Sequence, residues 1–161
     1  MRRPRTGEPW RTTERERVML SIDTNILLYA QNADCPEHAR AAGFLTECAL
    51  RSDVVVCELV LVELYILLRN PAVVAHPLGA KAAAAVCRTY RGHPRWRLVE
   101  NAPVMDRVWR LATGESVARR RIIDARLART LQHHGVTELA TVNTRDFVGL
   151  GFTRVWDPLA E

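Results

Sequence analysis

Val18-Met-Leu-Ser-Ile22, then Asp23-Thr-Asn25, then Ile26-Leu-Leu-Tyr-Ala30 is the stretch on which the fold turns. Its first five residues suit a short buried strand and are too few for a helix. The strand ends on an acid and two small polar residues, and helical sequence resumes from about Ile26 to Ala30. The same grammar recurs downstream. Val54-Val-Val-Cys57 is a β-branched run that leads directly into a helix over about 59–69, stopped by Asn70-Pro71. Arg97–Glu100 and Glu138–Val142 read as further strands, and Thr153–Trp156 as a last short one. Helices are predicted over about 36–50, over the alanine-rich 78–90, and over 103–112 opened by Pro103. Another spans 121–134, where Ile122, Ile123, Leu127 and Leu131 recur at helical spacing before Gly135. Short strands alternating with helices predict an α/β fold: a central, mainly parallel sheet of four to five short strands, sandwiched between helices. Ligands of such sheets bind beyond the carboxyl ends of the strands, which directs attention to Asp23 and to Asn143–Asp146.

The 161 residues are 48% hydrophobic and 25% charged, which fits one globular domain and excludes a disordered or fibrous chain. The densest apolar run, Leu59 to Leu68, is broken by Glu63 and is far short of the roughly 20 residues of a membrane helix. No secretory signal is visible, so the expected location is cytoplasmic, with no membrane partner. Residues 1–18 hold six Arg, three Glu and two Pro without apolar periodicity; they are read as a flexible basic tail before a domain at 19–161. Met19 stands immediately before the first strand and is an alternative start of translation. The net charge is +5, but the tail carries +3 of it, so any nucleic-acid binding must come from local clusters. Arginine outnumbers lysine 22 to one, Lys81 being the exception; arginine suits bidentate phosphate contacts. Cys35, Cys48, Cys57 and Cys87 form no C-x-x-C pair and read as reduced thiols. The five histidines lack ligand spacing, and His133-His134 read as the last turn of a helix. There is no Ser-His-Asp arrangement, phosphate-cradling glycine loop or zinc signature.

Four acids stand in awkward places. Asp23 follows an apolar strand and is either the N-cap of the next helix or a carboxylate at the sheet's functional edge. Glu63 has Leu59, Val60, Ile66 and Leu67 at i±3 and i±4, an apolar face with no local cation. Burying it unpaired would cost several kcal/mol unless it emerges at the helix edge or finds a distant Arg. Asp124 sits in a first helical turn, where the dipole favours it and where Arg120 and Arg121 offer local pairing. Asp146 follows a predicted strand in a polar turn. Convergence of all four would demand a counter-charge. Mg²⁺ or Mn²⁺ supplies it, since both prefer hard oxygen ligands and retain water for chemistry. Such a cluster suits hydrolysis of phosphodiesters.

The segments Ser21-Ile-Asp-Thr-Asn-Ile-Leu-Leu-Tyr-Ala30, Glu58-Leu-Val-Leu-Val-Glu63, Ile122-Ile-Asp-Ala-Arg-Leu-Ala128 and Thr141-Val-Asn-Thr-Arg-Asp-Phe147 resemble PIN-domain proteins. Among these the match is to the VapC toxins of bacterial toxin–antitoxin pairs, over about residues 19–159. The motifs are short; their order and spacing carry the resemblance. It implies a PIN-like α/β/α sandwich and an Mg²⁺- or Mn²⁺-dependent endoribonuclease. Asp23, Glu63 and Asp124 match the family's acids. At the fourth position many members have Asp within T-x-D, whereas this chain has Asn143 there and Asp146 three residues later. Asp146 is then the charged metal ligand, and Asn143 offers a neutral oxygen or binds substrate. Asn25 and Thr141 match positions that orient the acids by hydrogen bonds. Arg119, Arg120, Arg121, Arg126, Arg129 and Arg145 lie near the proposed acids in sequence, either as a solvated face or as RNA phosphate contacts, with Arg120, Arg121, Arg126 and Arg145 taken as the contacts. The resemblance further implies RNA as substrate, a homodimer, and a VapB-type antitoxin whose C-terminal segment covers the active-site groove.

Two rivals remain. A haloacid-dehalogenase-type phosphatase would use Asp23 as nucleophile, but Asn25 stands where its acid–base aspartate belongs, and Lys81 lacks a supporting acidic motif. A degenerate PIN-like domain that only binds RNA or protein is kept open by Asn143.

Overall fold

A computed structural model of the protein describes residues 18–114 and 118–160. The basic tail expected over 1–18 therefore lies, except for Val18, outside the described residues. In chain order the elements are β1 (Leu20–Ile22), α1 (Thr24–Gln31), α2 (His38–Ala49), β2 (Val54–Cys57) and α3 (Glu58–Leu68). They continue with α4 (Ala80–Arg91), β3 (Arg97–Val99), α5 (Met105–Ala112) and α6 (Arg121–His133). The last three are β4 (Glu138–Ala140), α7 (Thr144–Phe147) and β5 (Arg154–Trp156). Among the described residues no helix is long and apolar enough to cross a membrane.

The five strands form one sheet in the order β3-β2-β1-β4-β5, and every neighbouring pair is parallel. A parallel strand covered on both faces loses polar alternation, and β1 and β2 are buried at every residue. The hydroxyl of Ser21, the polar residue of β1, donates to the Val55 carbonyl at 2.8 Å, so its burial leaves no unmet polar group. Edge strands β3 and β5 are short and open with the exposed Arg97 and Arg154, charges that discourage edge-to-edge pairing. Ile26, Leu27, Leu64, Leu131 and Leu139 are fully buried and knit the helices to the sheet.

Local chemistry sets the helix ends. α1 starts two residues earlier than predicted because Asp23, in extended conformation, caps it: its Oδ1 accepts the Thr24 N–H at 2.8 Å. α6 closes as expected at Gly135, whose φ of 85° suits a residue without a Cβ. The Gly135 and Val136 N–H groups donate back to the carbonyls of Gln132 and Leu131, a Schellman arrangement. β4 stops at Ala140, short of the predicted Val142, and the segment expected to be a polar turn winds into the single turn α7, pinned by buried Phe147. The cysteines are free thiols; Cys48 and Cys57 are buried, and burial pushes the Cys48 thiol up to about 11.

The strand order reverses direction between β1 and β4. The chain runs from β1 outward to β2 and β3 on one side, while β4 leads to β5 on the other. Asp23 at the end of β1 and Thr141–Asn143 at the end of β4 flank this point, and the Asp23 N–H donates to the Ala140 carbonyl at 2.9 Å. That crevice is where a parallel sheet presents its ligand.

Candidate active site

Asp23 is buried at the crevice floor, 7% exposed. Besides capping α1, it accepts at Oδ2 the Thr141 hydroxyl at 2.6 Å and the Asn25 amide at 3.0 Å. The Asn25 amide also donates to Thr141 Oγ1 at 3.1 Å, and Asn25 Oδ1 accepts the Val142 N–H at 3.4 Å. Thr141 Oγ1 in turn accepts the Asn143 N–H at 3.0 Å. This small lattice laces β1 to β4 and fixes the Asp23 carboxyl. Burial raises its pKa; the bonds from Thr141 and Thr24 pull it down, Glu63 pushes it up, and Asn25 pulls it down, leaving it raised.

Glu63 lies one layer further out. Its i±3 and i±4 neighbours left open burial or emergence at the helix edge, and the structure shows emergence: the side chain is exposed. The reason is that α3 is apolar around its whole circumference: Val60, Leu61, Leu64 and Leu68 fill the core, while Val62 and Ile66, beside Glu63, stay more than half exposed. Neighbouring apolar residues therefore did not mean burial. The partner of Glu63 is a hydroxyl, since Thr24 Oγ1 donates to its Oε2 at 2.7 Å. Thr24 was not singled out from sequence; the available signal was a hydroxyl immediately after Asp23.

Asp124, half-buried in the first turn of α6, is strongly perturbed. Burial pushes its carboxyl up to about 6; Asp146, Asp23 and Glu63 add to the push in that order, and Arg121 opposes it. Its carboxylate therefore feels all three other acids, so the fold brings four groups from α1's cap, α3, α6 and α7 to one crevice. Asp146 itself is exposed and lies on α7, not in the polar turn expected. Asn143 is exposed at the N-terminus of α7, and its side chain makes no capping bond.

The arginines divide. Arg121 reaches across from α6 and donates to the carbonyls of Asp146 and Val148, at 3.2 and 2.6 Å, so it also braces the segment carrying Asp146. Arg126 donates to Asn101 Oδ1 at 3.3 Å. Arg119, Arg120 and Arg145 project into solvent. Beside the acids an apolar groove of about 410 Å³ runs between α3, α5 and α6, lined among others by Val62, Glu63, Ile66, Met105, Ile123 and Arg126.

Four carboxyl side chains, hard oxygen donors brought to one crevice, are chemically matched to a divalent cation. Among the described residues no three His, Cys, Asp or Glu side chains close around a single point tightly enough to ligate it.

This arrangement is that of a PIN domain. The PIN domain family model matches residues 20–152, and the chain belongs to that family. It is 66% identical over 141 residues to Ribonuclease VapC24 of Mycobacterium tuberculosis, a match covering 88% of this chain and 97% of the relative. It is thus a homologue of the VapC ribonucleases. Solved structures share its fold at low identity. Mycobacterium tuberculosis VapC20, described as a sarcin-ricin loop cleaving toxin, superposes with a TM-score of 0.64 at 18% identity, over 83% of this chain and 96% of that one. FitAcB from Neisseria gonorrhoeae gives 0.60 at 19%, over 89% and 100%. FitAB bound to a DNA fragment gives 0.59 at 18%, over 89% and 97%.

Proposed function

We propose that this chain is a divalent-metal-dependent endoribonuclease, the toxin of a VapBC-type toxin–antitoxin pair, hydrolysing RNA at the Asp23–Glu63–Asp124–Asp146 cluster. The observation that carries this reading is the crowding of Asp124 by three other acids at the switch point of the sheet. In it, Asp23, Asp124, Asp146 and Glu63 hold Mg²⁺ or Mn²⁺. A bound ion of this kind supplies an activated water and offsets charge on the phosphate in the transition state. The chain's own contribution is orientation. Thr141 and Asn25 aim the Asp23 carboxylate and oppose the rise that burial imposes on its pKa, and Thr24 positions Glu63. Asn143, exposed beside them, offers a neutral oxygen to metal or substrate. Arg120, Arg121, Arg126 and Arg145 contact RNA phosphates around the cleavage point.

The exposed apolar strip of Val62, Ile66 and Ile123 adjoins the acids. We assign it to an antitoxin segment, which would shut the groove. Homodimerisation and a cytoplasmic location complete the proposal by analogy with the family.

The experiment is cleavage of total cellular RNA by the purified, antitoxin-free protein with Mg²⁺, with Mn²⁺ or with EDTA, beside Asp23→Asn. Discrete fragments that need the metal and vanish in the variant are expected, and mapping their ends identifies the target. A folded protein that cuts nothing would shift the reading to a binding-only PIN-like module, with Asn143 as the lesion.

A further inference from the structure

We propose that Arg107, Arg110 and Arg129 form a second phosphate-binding groove, which grips the RNA backbone away from the acids. The inference rests on the ribonuclease reading above and deepens it. Between α5 and α6 an open groove of about 590 Å³ is lined by Arg107, Arg110, Leu111 and Arg129. Three of the four lining residues are arginines and none is an acid. Arg107 and Arg110 stand three apart, hence on one face of α5, and both are exposed.

What these guanidinium groups bond is as informative as their number. Arg110 Nε donates to the Asp106 main-chain carbonyl at 3.2 Å, and Arg129 donates to Gln132 Oε1 at 2.9 Å and the Leu150 carbonyl at 3.2 Å. Those acceptors are neutral. Arg51, Arg91 and Arg154 instead meet carboxylates, on Asp53, Glu58 and Glu138, whereas Arg95, Arg121 and Arg126, like Arg110 and Arg129, donate to neutral acceptors. Among the described residues the three cations lining the groove make no ion pair, Asp106 on α5 being the nearest acid in sequence, in a domain whose residues 19–161 carry only +2 overall. Guanidinium forks match phosphate oxygens in geometry and charge, so a polyphosphate backbone satisfies them.

The groove also sits on the same scaffold as the acids. α6 carries Asp124 and, five residues on, Arg129, about 7.5 Å further along the axis. Two arginines of that helix clamp one segment, Arg121 through Asp146 and Val148 and Arg129 through Leu150. Five residues also turn about 140° around the helix axis, so a strand with one phosphate at the acids reaches the groove by passing round α6. Arg107 and Arg110 therefore serve binding of longer RNA and leave the bond-breaking step alone.

The test is the double variant Arg107→Ala/Arg110→Ala beside wild type, with a long single-stranded RNA and a minimal oligonucleotide spanning only the cleavage point. We expect the melting temperature and kcat to be unchanged, and KM for the long RNA to rise about tenfold. The minimal substrate should be cut as by wild type. The slope of log affinity against log salt should shrink by about 1.4, for two single-strand phosphates. Unchanged KM and salt slope in the folded variant would overturn the groove, whatever acidic protein segment it then receives. Equal losses on both substrates would overturn it too, by placing these residues in the chemistry or the fold. A wild-type chain that neither cuts nor binds RNA would overturn the ribonuclease reading itself, a result distinct from the other two.

Discussion

Replacing Asp124 with Asn should lower RNA cleavage by a factor on the order of 10³ or more, while leaving the metal-free protein slightly more stable at neutral pH. The loss follows from removing a charged oxygen ligand at the centre of the cluster. The gain follows from linkage. The folded-state pKa of Asp124 lies at about 6, against 3.8 for an ordinary aspartate, with burial the first cause and three acids next. A raised acid pKa means that the folded state holds the proton more tightly. Stability therefore falls as pH rises from about 4 to about 6 and stays lowered above that. The full shift would correspond to about 3 kcal/mol. Asp124 is only half-buried, and solvent screening leaves about 1 kcal/mol. Losing a negative charge from the first turn of α6 takes back a few tenths. A rise of about 2 °C in melting temperature is the expected balance, measured by thermal unfolding in EDTA near pH 7.5, and it should vanish near pH 4. A lower melting temperature at neutral pH would contradict the crowding.

Thr141→Val should act in the opposite direction. The substitution keeps the shape of the side chain and deletes a hydroxyl that donates to Asp23 Oδ2 and accepts from Asn25 and Asn143. A buried carboxylate loses its shortest bond, and two donors lose their acceptor. The cost should be about 2–3 kcal/mol at neutral pH, some 5–10 °C in melting temperature. The Asp23 carboxyl, already raised by burial, should rise further without this donor. The penalty should therefore shrink on acidification, because the neutral carboxyl needs the bond less. Cleavage should fall about 10- to 100-fold, as for loss of a group that orients a ligand. Unfolding curves at several pH values, with cleavage assays alongside, check both parts. A variant as stable and as active as wild type would show that the lattice between β1 and β4 does not hold Asp23.

How far the sequence could be read depended on the type of signal. Uninterrupted apolar strands such as Val54–Cys57, each feeding a helix, made a parallel sheet legible, because only strands covered on both faces lose polar alternation. The cap at Gly135 was legible because the backbone there needs positive φ. Asp23 and Thr141 could be placed at strand ends, yet the bonds joining them cross 118 positions and follow from strand order, which periodicity does not encode. Whether Glu63 is buried or emerges could not be decided from sequence for a related reason. Local spacing shows which residues share a helix face, but an all-apolar helix does not reveal which face the core receives, and Val62 and Ile66 show that the face beside Glu63 is open. α7 was missed because a single turn owes its existence to Phe147 docking on the core, not to propensity within Thr-Arg-Asp-Phe. The cationic groove of Arg107, Arg110 and Arg129 joins two helices separated by a loop, so it too emerged only in three dimensions.

The central claim is that these carboxylates jointly hold a divalent cation, and titration of Mn²⁺ into the purified protein tests it most directly. Calorimetry or the free-Mn²⁺ paramagnetic signal should be followed for wild type, Asp23→Asn and Asp124→Asn. Saturable binding to wild type is expected, weakened at least about tenfold in each variant while both remain folded. Binding of the same strength in all three proteins would contradict the account, because the ion would then be held by groups other than the cluster at the switch point.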